Sequence, residues 1–228
     1  MDIIARIRTD LPTKFGIPRQ SGLIDELKGT VVFEPAFRNA DALRGLDGFS
    51  HIWLIWQFSE STGREWSPTV KPPRLGGNRR MGVFATRSPF RPNPIGLSCV
   101  RLEGIDYGTP QGAVLRVSGV DLMDQTPIYD IKPYLPYADC HPDALDGFAG
   151  EVRDYSLEVD FPQALLDLLP ETHRAAILRV LAQDPRPGYR HADDGRRYGV
   201  EFAGFDIRFT VKDGLLRVCE VVRLPSHP

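Results

Sequence analysis

Residues 49–58 read FSHIWLIWQF. The run is nearly all apolar, rich in aromatic and β-branched side chains, and too short for a typical free-standing helix. It therefore predicts a strand buried on both faces. Outward from it, Met1–Arg8 and Thr30–Glu34 predict strands on the N-terminal side, with a helical turn at Asp41–Leu46. On the C-terminal side follow strands at Met81–Thr86, Ile95–Tyr107, Ala113–Val120 and Tyr155–Phe161, with Gly96 and Gly104 as bends or bulges. Many short strands with few long helices between them, in a chain holding 21 Gly and 20 Pro, favour an antiparallel sheet curled into a β-barrel.

The composition shifts near Asp154. Pro162–Leu169 and Glu171–Gln183 carry helical periodicity, separated by Pro170 and stopped by Pro185. Three strands follow at Tyr198–Phe202, Phe205–Lys212 and Leu215–Arg223, the last two joined by the hairpin dipeptide Asp213-Gly214. The expected architecture is thus mainly β: a barrel domain over residues 1–153 and a small α+β domain over residues 154–228.

At 228 residues, 42% hydrophobic and 25% charged, the chain can bury a sizeable core. The three cysteines are widely spaced and give neither a disulfide framework nor a zinc pattern, and no apolar run has the length of a membrane span. A cytoplasmic protein with no metal and no membrane partner is expected. Its net charge is −2, yet between Arg64 and Arg91 seven basic residues stand against the single acid Glu65. A local basic stretch attracts phosphate whatever the global charge.

Three segments carry chemistry-bearing side chains. Residues 66–96, WSPTVKPPRLGGNRRMGVFATRSPFRPNPIG, form a Pro-rich arm followed by a Gly pair, which rules out a helix through the first half. Arg87 and Arg91 flank Ser88-Pro89-Phe90, so one turn offers guanidinium groups, a hydroxyl and a ring, parts suited to phosphate contact and base stacking. Trp66 heads the arm as a packing anchor or a stacking platform. Residues 121–137, DLMDQTPIYDIKPYLPY, gather Asp121, Asp124 and Asp130 with Lys132, Tyr129 and Tyr134. These suit ribose hydroxyls, a cation or proton transfer, and equally a turn-rich loop whose aspartates make Asx-turns. Residues 14–22, KFGIPRQSG, place Arg19 and Gln20 in a loop, read as a surface turn or an adenine and carboxylate contact. His51, Trp53 and Trp56 read as core. No GxGxxG opens a helix after a strand, so a Rossmann-type nucleotide site is not supported.

Together these segments resemble the TrmO family of tRNA threonylcarbamoyladenosine methyltransferases. The resemblance is carried by PRQ at 18–20, RGLDGFSHIW at 44–53, the run from Pro68 to Gly96, DLMDQTPIYDIKPYLPYAD at 121–139 and LAQDPRPGYR at 181–190. It implies an S-adenosylmethionine enzyme built on a β-barrel, a homodimer with cofactor near the subunit interface, and methylation of the exocyclic amine nitrogen of threonylcarbamoyladenosine beside the anticodon of threonine tRNA.

On this chain the implied cofactor pocket falls on Pro18, Arg19, Gln20, Ser59, Glu60, Arg87, Leu97, Asp121, Leu122, Met123 and Asp124. Carboxylates suit the ribose diol or the cationic end, Arg suits the carboxylate, and Leu97 suits the adenine face. The carbamoyl group makes the acceptor's N–H more acidic than that of plain adenine, so a base would help. Asp130, Lys132 and Tyr134 are the unranked candidates for that role or for positioning. Lys71, Arg74, Arg79, Arg80 and Arg91 would hold the anticodon loop, with Asn93 reading the base. Two rivals remain: a basic barrel that binds RNA without turnover, and a methyltransferase with another acceptor.

Overall fold

The computed structural model describes residues 1–61, 63, 65–72, 79–152, 155–186 and 195–225. Six strands close an antiparallel barrel in the order β1-β2-β7-β6-β3-β8. Their ranges are β1 Ala5–Thr9, β2 Lys28–Phe33, β3 His51–Gln57, β6 Ile95–Thr109, β7 Gly112–Ser118 and β8 Pro127–Pro133. A two-stranded ribbon, β4 Thr69–Val70 with β5 Met81–Gly82, stands apart on the Pro-rich arm. A second sheet follows in the order β10-β11-β12-β9, made of Arg197–Phe202, Phe205–Lys212, Leu215–Arg223 and Glu158–Asp160. The mainly β architecture with an α+β appendage is the one expected.

Strand β3 alternates where the sequence reading has it buried on both faces. Ile52, Leu54 and Trp56 point inward at 0%, 0% and 8% exposure, while His51, Trp53 and Ile55 are only half-buried on the outer face. An antiparallel barrel wall has one interior face, so period-2 burial is its natural pattern, even where the outer residues are apolar. Residues Val83–Ala85, expected to continue a strand from Met81, instead turn as a 3₁₀ helix.

Strand β8 was not expected, because its sequence reads as a polar turn-rich loop. It pairs with β3 from Ile52↔Pro133 to Trp56↔Ile128 and closes the barrel on β1 through only Ala5↔Ile128 and Arg6↔Pro127. Its two prolines sit at the strand's ends, where a missing N–H costs least. Of the two glycines expected as bulges, Gly104 lies at a register shift between β6 and β7. Gly96 instead keeps regular register opposite Trp56.

The appendage includes two helices, α2 Gln163–Leu166 and α3 Glu171–Ala182, the latter burying Ala176, Ile177, Val180 and Leu181. A four-residue helix, α1 Pro136–Asp139, follows β8. The hairpin turn between β11 and β12 has positive φ at Asp213 and Gly214, as a primed turn requires. The second sheet packs on the loop after β1. Gly16 has φ +85°, and a Cβ there would come within 2.5 Å of Val200, so the approach needs glycine. Ala203 N–H donates to the Asp10 carbonyl at 2.9 Å, and Arg179 meets Glu26 at 3.3 Å. Nearly all buried apolar residues of both sheets form one continuous core.

Candidate active site

At the end of the barrel where β1, β3 and β7 finish and β6 and β8 begin lies a cleft of about 490 Å³. That is a size suited to a small-molecule ligand. Its apolar walls come from Ile17, Trp56, Phe58 and Leu97, and its polar groups include Lys14, Arg19, Glu60, Arg87 and Asp121.

The floor is a hydrogen-bonded chain. Trp56 Nε1–H donates to Ser98 Oγ at 2.9 Å, and Ser98 O–H donates to Asp121 Oδ1 at 2.6 Å. Ser98 is fully buried on the inward face of β6, between Gly96 and Val100. The Trp56 indole lies over Gly96: a Cβ at that position would fall 2.2 Å from the ring. Phe58 meets the indole edge-on, 4.4 Å between centroids. Burial pushes the Asp121 carboxyl up to about 6, against the lowering effects of the Ser98 hydroxyl, the N–H groups of Asp121 and Ser21, and the Arg87 charge. Also at the cleft, Arg87 donates to the Gln20 side-chain carbonyl and Arg91 to the Thr86 backbone carbonyl at 2.6 Å.

The cleft gathers nine of the eleven residues expected at a cofactor: Pro18, Arg19 and Gln20, Ser59 and Glu60, and Arg87, Leu97, Asp121 and Met123. Leu122 and Asp124 are not among them. Leu122 is 1% exposed in the core, and its carbonyl accepts from the Thr9 hydroxyl at 3.1 Å. Asp124 turns away to accept the Thr9 N–H at 2.9 Å. Alternation along the segment sends Asp121 and Met123 toward the cleft and ties their neighbours to β1.

Asp130, Lys132 and Tyr134 do not line the cleft. They belong to the outer face of β8, because Asp130 pairs with Ile55 and Lys132 with Trp53 on the outward side of β3. Lys132 and Asp130 form a surface ion pair at 2.9 Å. Tyr134 packs against Trp53 and His51, and partial burial with Cys140 nearby raises its phenol further. None of the three is placed to take a proton inside its own chain's cleft. Their outer row nevertheless runs up to the rim, since Ile55 also pairs with Leu97, which is 52% exposed.

Of the residues expected at RNA, Lys71, Arg79, Arg80 and Asn93 are exposed, and Arg91 lies half-buried on the cleft rim. Arg80 donates to the Thr69 hydroxyl at 2.8 Å, bracing the small ribbon, and Arg79 faces Glu151 at 3.7 Å. Arg74, and with it the Gly pair, lies outside the described residues. The same arm exposes Trp66, Phe84 and Phe90 at 50%, 73% and 38%. Basic heads interleaved with exposed aromatic side chains are parts that suit a single-stranded nucleic acid.

The sequence reading assigned Trp56 to the core and gave Ser98 no role. One signal was available for Ser98: alternation through GLSCVRL puts a lone hydroxyl among apolar inward residues. Trp56 gave none, because its contact with Gly96 and Ser98 depends on the register between β3 and β6.

An end-of-barrel cleft with apolar and ionic walls, bordered by a basic aromatic arm, defines an RNA-acting protein with a small-molecule pocket. The comparisons with known proteins narrow this class. The model of the tRNA-methyltransferase O N-terminal domain matches residues 6–140, and that of the TrmO C-terminal domain matches residues 154–224. The tRNA (adenine(37)-N6)-methyltransferase of Escherichia coli K12 is 42% identical, over 92% of each chain. A putative S-adenosylmethionine-dependent methyltransferase of Pseudomonas aeruginosa is 42% identical over 96% of this chain and 95% of its own. A crystal structure of TrmO from Pseudomonas aeruginosa superposes with a TM-score of 0.75, at 36% identity, covering 96% of each chain. The chain belongs to the tRNA-methyltransferase O family, and is a tRNA methyltransferase.

Proposed function

We propose that this enzyme binds S-adenosylmethionine in the end-of-barrel cleft and methylates the exocyclic amine nitrogen of threonylcarbamoyladenosine beside the anticodon of threonine tRNA. The observation that carries the reading is the cleft itself, amphipathic in its walls and adjoining the basic arm. Its donor set suits the cofactor. Trp56, Phe58 and Leu97 offer apolar surface for an adenine, Arg19 and Arg87 suit a carboxylate, and Glu60 suits a diol or a cation. When bound, the cofactor supplies an activated methyl group on a cationic sulfur, a leaving group that needs little help.

The protein's contribution is then to position and to exclude water. Gln20 fixes the Arg87 guanidinium, and Thr86 fixes Arg91. The arm bearing Lys71, Arg79, Arg80, Arg91 and Asn93 would hold the anticodon loop. Its electrostatic field steers RNA even though the whole chain is slightly acidic.

The division of labour proposed is a catalytic barrel over residues 1–153 and a supporting domain over residues 154–228. A homodimer is supported by the half-exposed apolar row of Trp53, Ile55 and Leu97, which reaches the cleft rim. Asp130, Lys132 and Tyr134 lie on that same face and would meet a cleft only across a subunit contact. The reaction would take place in the cytoplasm, with its tRNA. No described helix is long and apolar enough to cross a membrane.

Mass spectrometry of threonine tRNA from cells with and without this protein tests the assignment. The threonylcarbamoyladenosine nucleoside should lose one methyl mass in the deleted strain. An unchanged nucleoside profile overturns the assigned acceptor.

A further inference from the structure

The chain Trp56–Ser98–Asp121 has a fixed direction. An indole N–H donates and cannot accept, so Ser98 Oγ accepts from Trp56 and commits its one hydrogen to Asp121 Oδ1. Oδ1 is thereby held as an acceptor in either state of the carboxyl, and a proton arriving at Asp121 must go to Oδ2. The three side chains belong to three different elements: β3, β6 and the segment between β7 and β8. The charged groups that share the cleft with Asp121 are Arg19, Arg87, Arg91, Lys14 and Glu60. Among them Arg87 is the one whose charge bears on Asp121. No arginine is bonded through Ser98, so the relay aims the carboxyl without neutralising it.

We propose that Asp121 is the proton acceptor for the nitrogen that receives the methyl group, and that Ser98, held by Trp56, is the positioning residue that keeps it so. This rests on the methyltransferase reading above. The proton leaves the nitrogen for Asp121 Oδ2. The nitrogen's electron pair goes to the incoming methyl carbon, and the pair of the bond that carbon held stays on its sulfur. The neutral carboxyl then returns its proton to solvent, which a group titrating near neutrality does readily.

Two measurements test it. The first is a ¹³C titration of the Asp121 carboxyl in the protein without cofactor or tRNA, with the signal assigned by its loss in Asp121→Asn. The midpoint should lie near the elevated value of about 6. It should rise by about one pH unit in Ser98→Ala, which removes a hydrogen bond to the charged form. Trp56→Phe keeps the Ser98–Asp121 bond and should give a smaller rise, and it serves where Ser98→Ala does not fold.

The second is single-turnover methyl transfer to tRNA from about pH 5 to about pH 9. The wild-type rate should climb with the ionisation of Asp121 and level off. Ser98→Ala should move that limb to higher pH by the same amount and recover at the alkaline end. Asp121→Asn should lose the limb and at least about 100-fold in rate. A Ser98→Ala deficit equal at every pH, or full activity in Asp121→Asn, overturns the proposal. Should the wild type transfer no methyl to tRNA, the reading of function falls, while a carboxyl titration unmoved in both Ser98→Ala and Trp56→Phe separately overturns the relay.

Discussion

Two aspartates of this chain are shielded from water, Asp184 almost fully and Asp121 in part, and meet opposite fates. Asp184, after α3, has a side chain with no exposure at all. It accepts two hydrogen bonds from the Arg186 guanidinium, at 2.8 and 2.9 Å, a longer one from the Arg186 N–H at 3.3 Å, and one from the Tyr155 hydroxyl at 2.9 Å. Burial pushes its carboxyl up, but the bidentate guanidinium and the phenol outweigh burial and hold it below the usual range. Asp121 has a serine and two backbone N–H groups instead, with Arg87 acting only through its charge, and burial wins. Burial alone therefore does not decide what a carboxylate becomes; the charge of its nearest partner does. The Asp184 arrangement locks a helix end, and the Asp121 arrangement leaves a group that can take up a proton in a ligand cleft.

The largest effect expected is at the lock. Arg186→Met removes a buried bidentate guanidinium from Asp184, which should cost up to about 3–5 kcal/mol. Urea unfolding at neutral pH reads this directly, and a loss within experimental error would show that Asp184 is solvated in solution. Lowering the pH should narrow the deficit, because the carboxyl can then protonate.

Asp121→Asn should move stability the other way. A carboxyl raised in the folded state favours folding fully below its unfolded value near 3.8 and loses that advantage as pH rises through about 6. The neutral amide escapes this penalty. The variant should therefore be more stable than wild type at about pH 8, by up to about 3 kcal/mol, with the gain vanishing near pH 4. Asp184, held low, contributes stability that is present above its unfolded value and lost in acid. Thermal melts of Asp121→Asn across that range would show the trend, and a variant less stable than wild type at every pH would mean that Asp121 is a second structural carboxylate. Gained stability with lost activity is the usual mark of a strained functional group.

Legibility in the sequence divides along similar lines. The barrel strands were visible as β-branched and aromatic runs, although the run at 49–58 hid its one-sided burial behind apolar outer residues, and the Asp213-Gly214 hairpin was visible because its turn needs positive φ. Strand β8 was not, since a strand closing a barrel through two residue pairs need carry little apolar signal. Its misreading as a loop also misplaced Asp130, Lys132 and Tyr134, whose facing depends on their register with β3. The cofactor-pocket residues came from motif resemblance, and alternation within residues 121–124 then separated Asp121 and Met123 from Leu122 and Asp124. Ser98 left one local trace, a lone hydroxyl among inward apolar residues, whereas Trp56 became legible only once two strands were aligned, because a contact across a sheet leaves none.

The smallest effect sharpens the comparison at the surface. Like Asp184, two arginines of the basic arm are already engaged: Arg79 faces Glu151, and Arg80 braces Thr69. Arg91 gives one N–H to the Thr86 carbonyl, a neutral partner that leaves its charge uncompensated at the cleft rim. A charge so placed can still neutralise a phosphate, whereas one opposite a carboxylate must first break that contact. Arg91→Ala should therefore weaken tRNA binding a few-fold and lower the slope of log affinity against log salt by about one. Arg79→Ala should change the slope less, because Glu151 already offsets part of its charge. Equal slopes for wild type and Arg91→Ala would remove Arg91 from the phosphate contacts, and a larger change for Arg79 would show that RNA displaces Glu151 on binding.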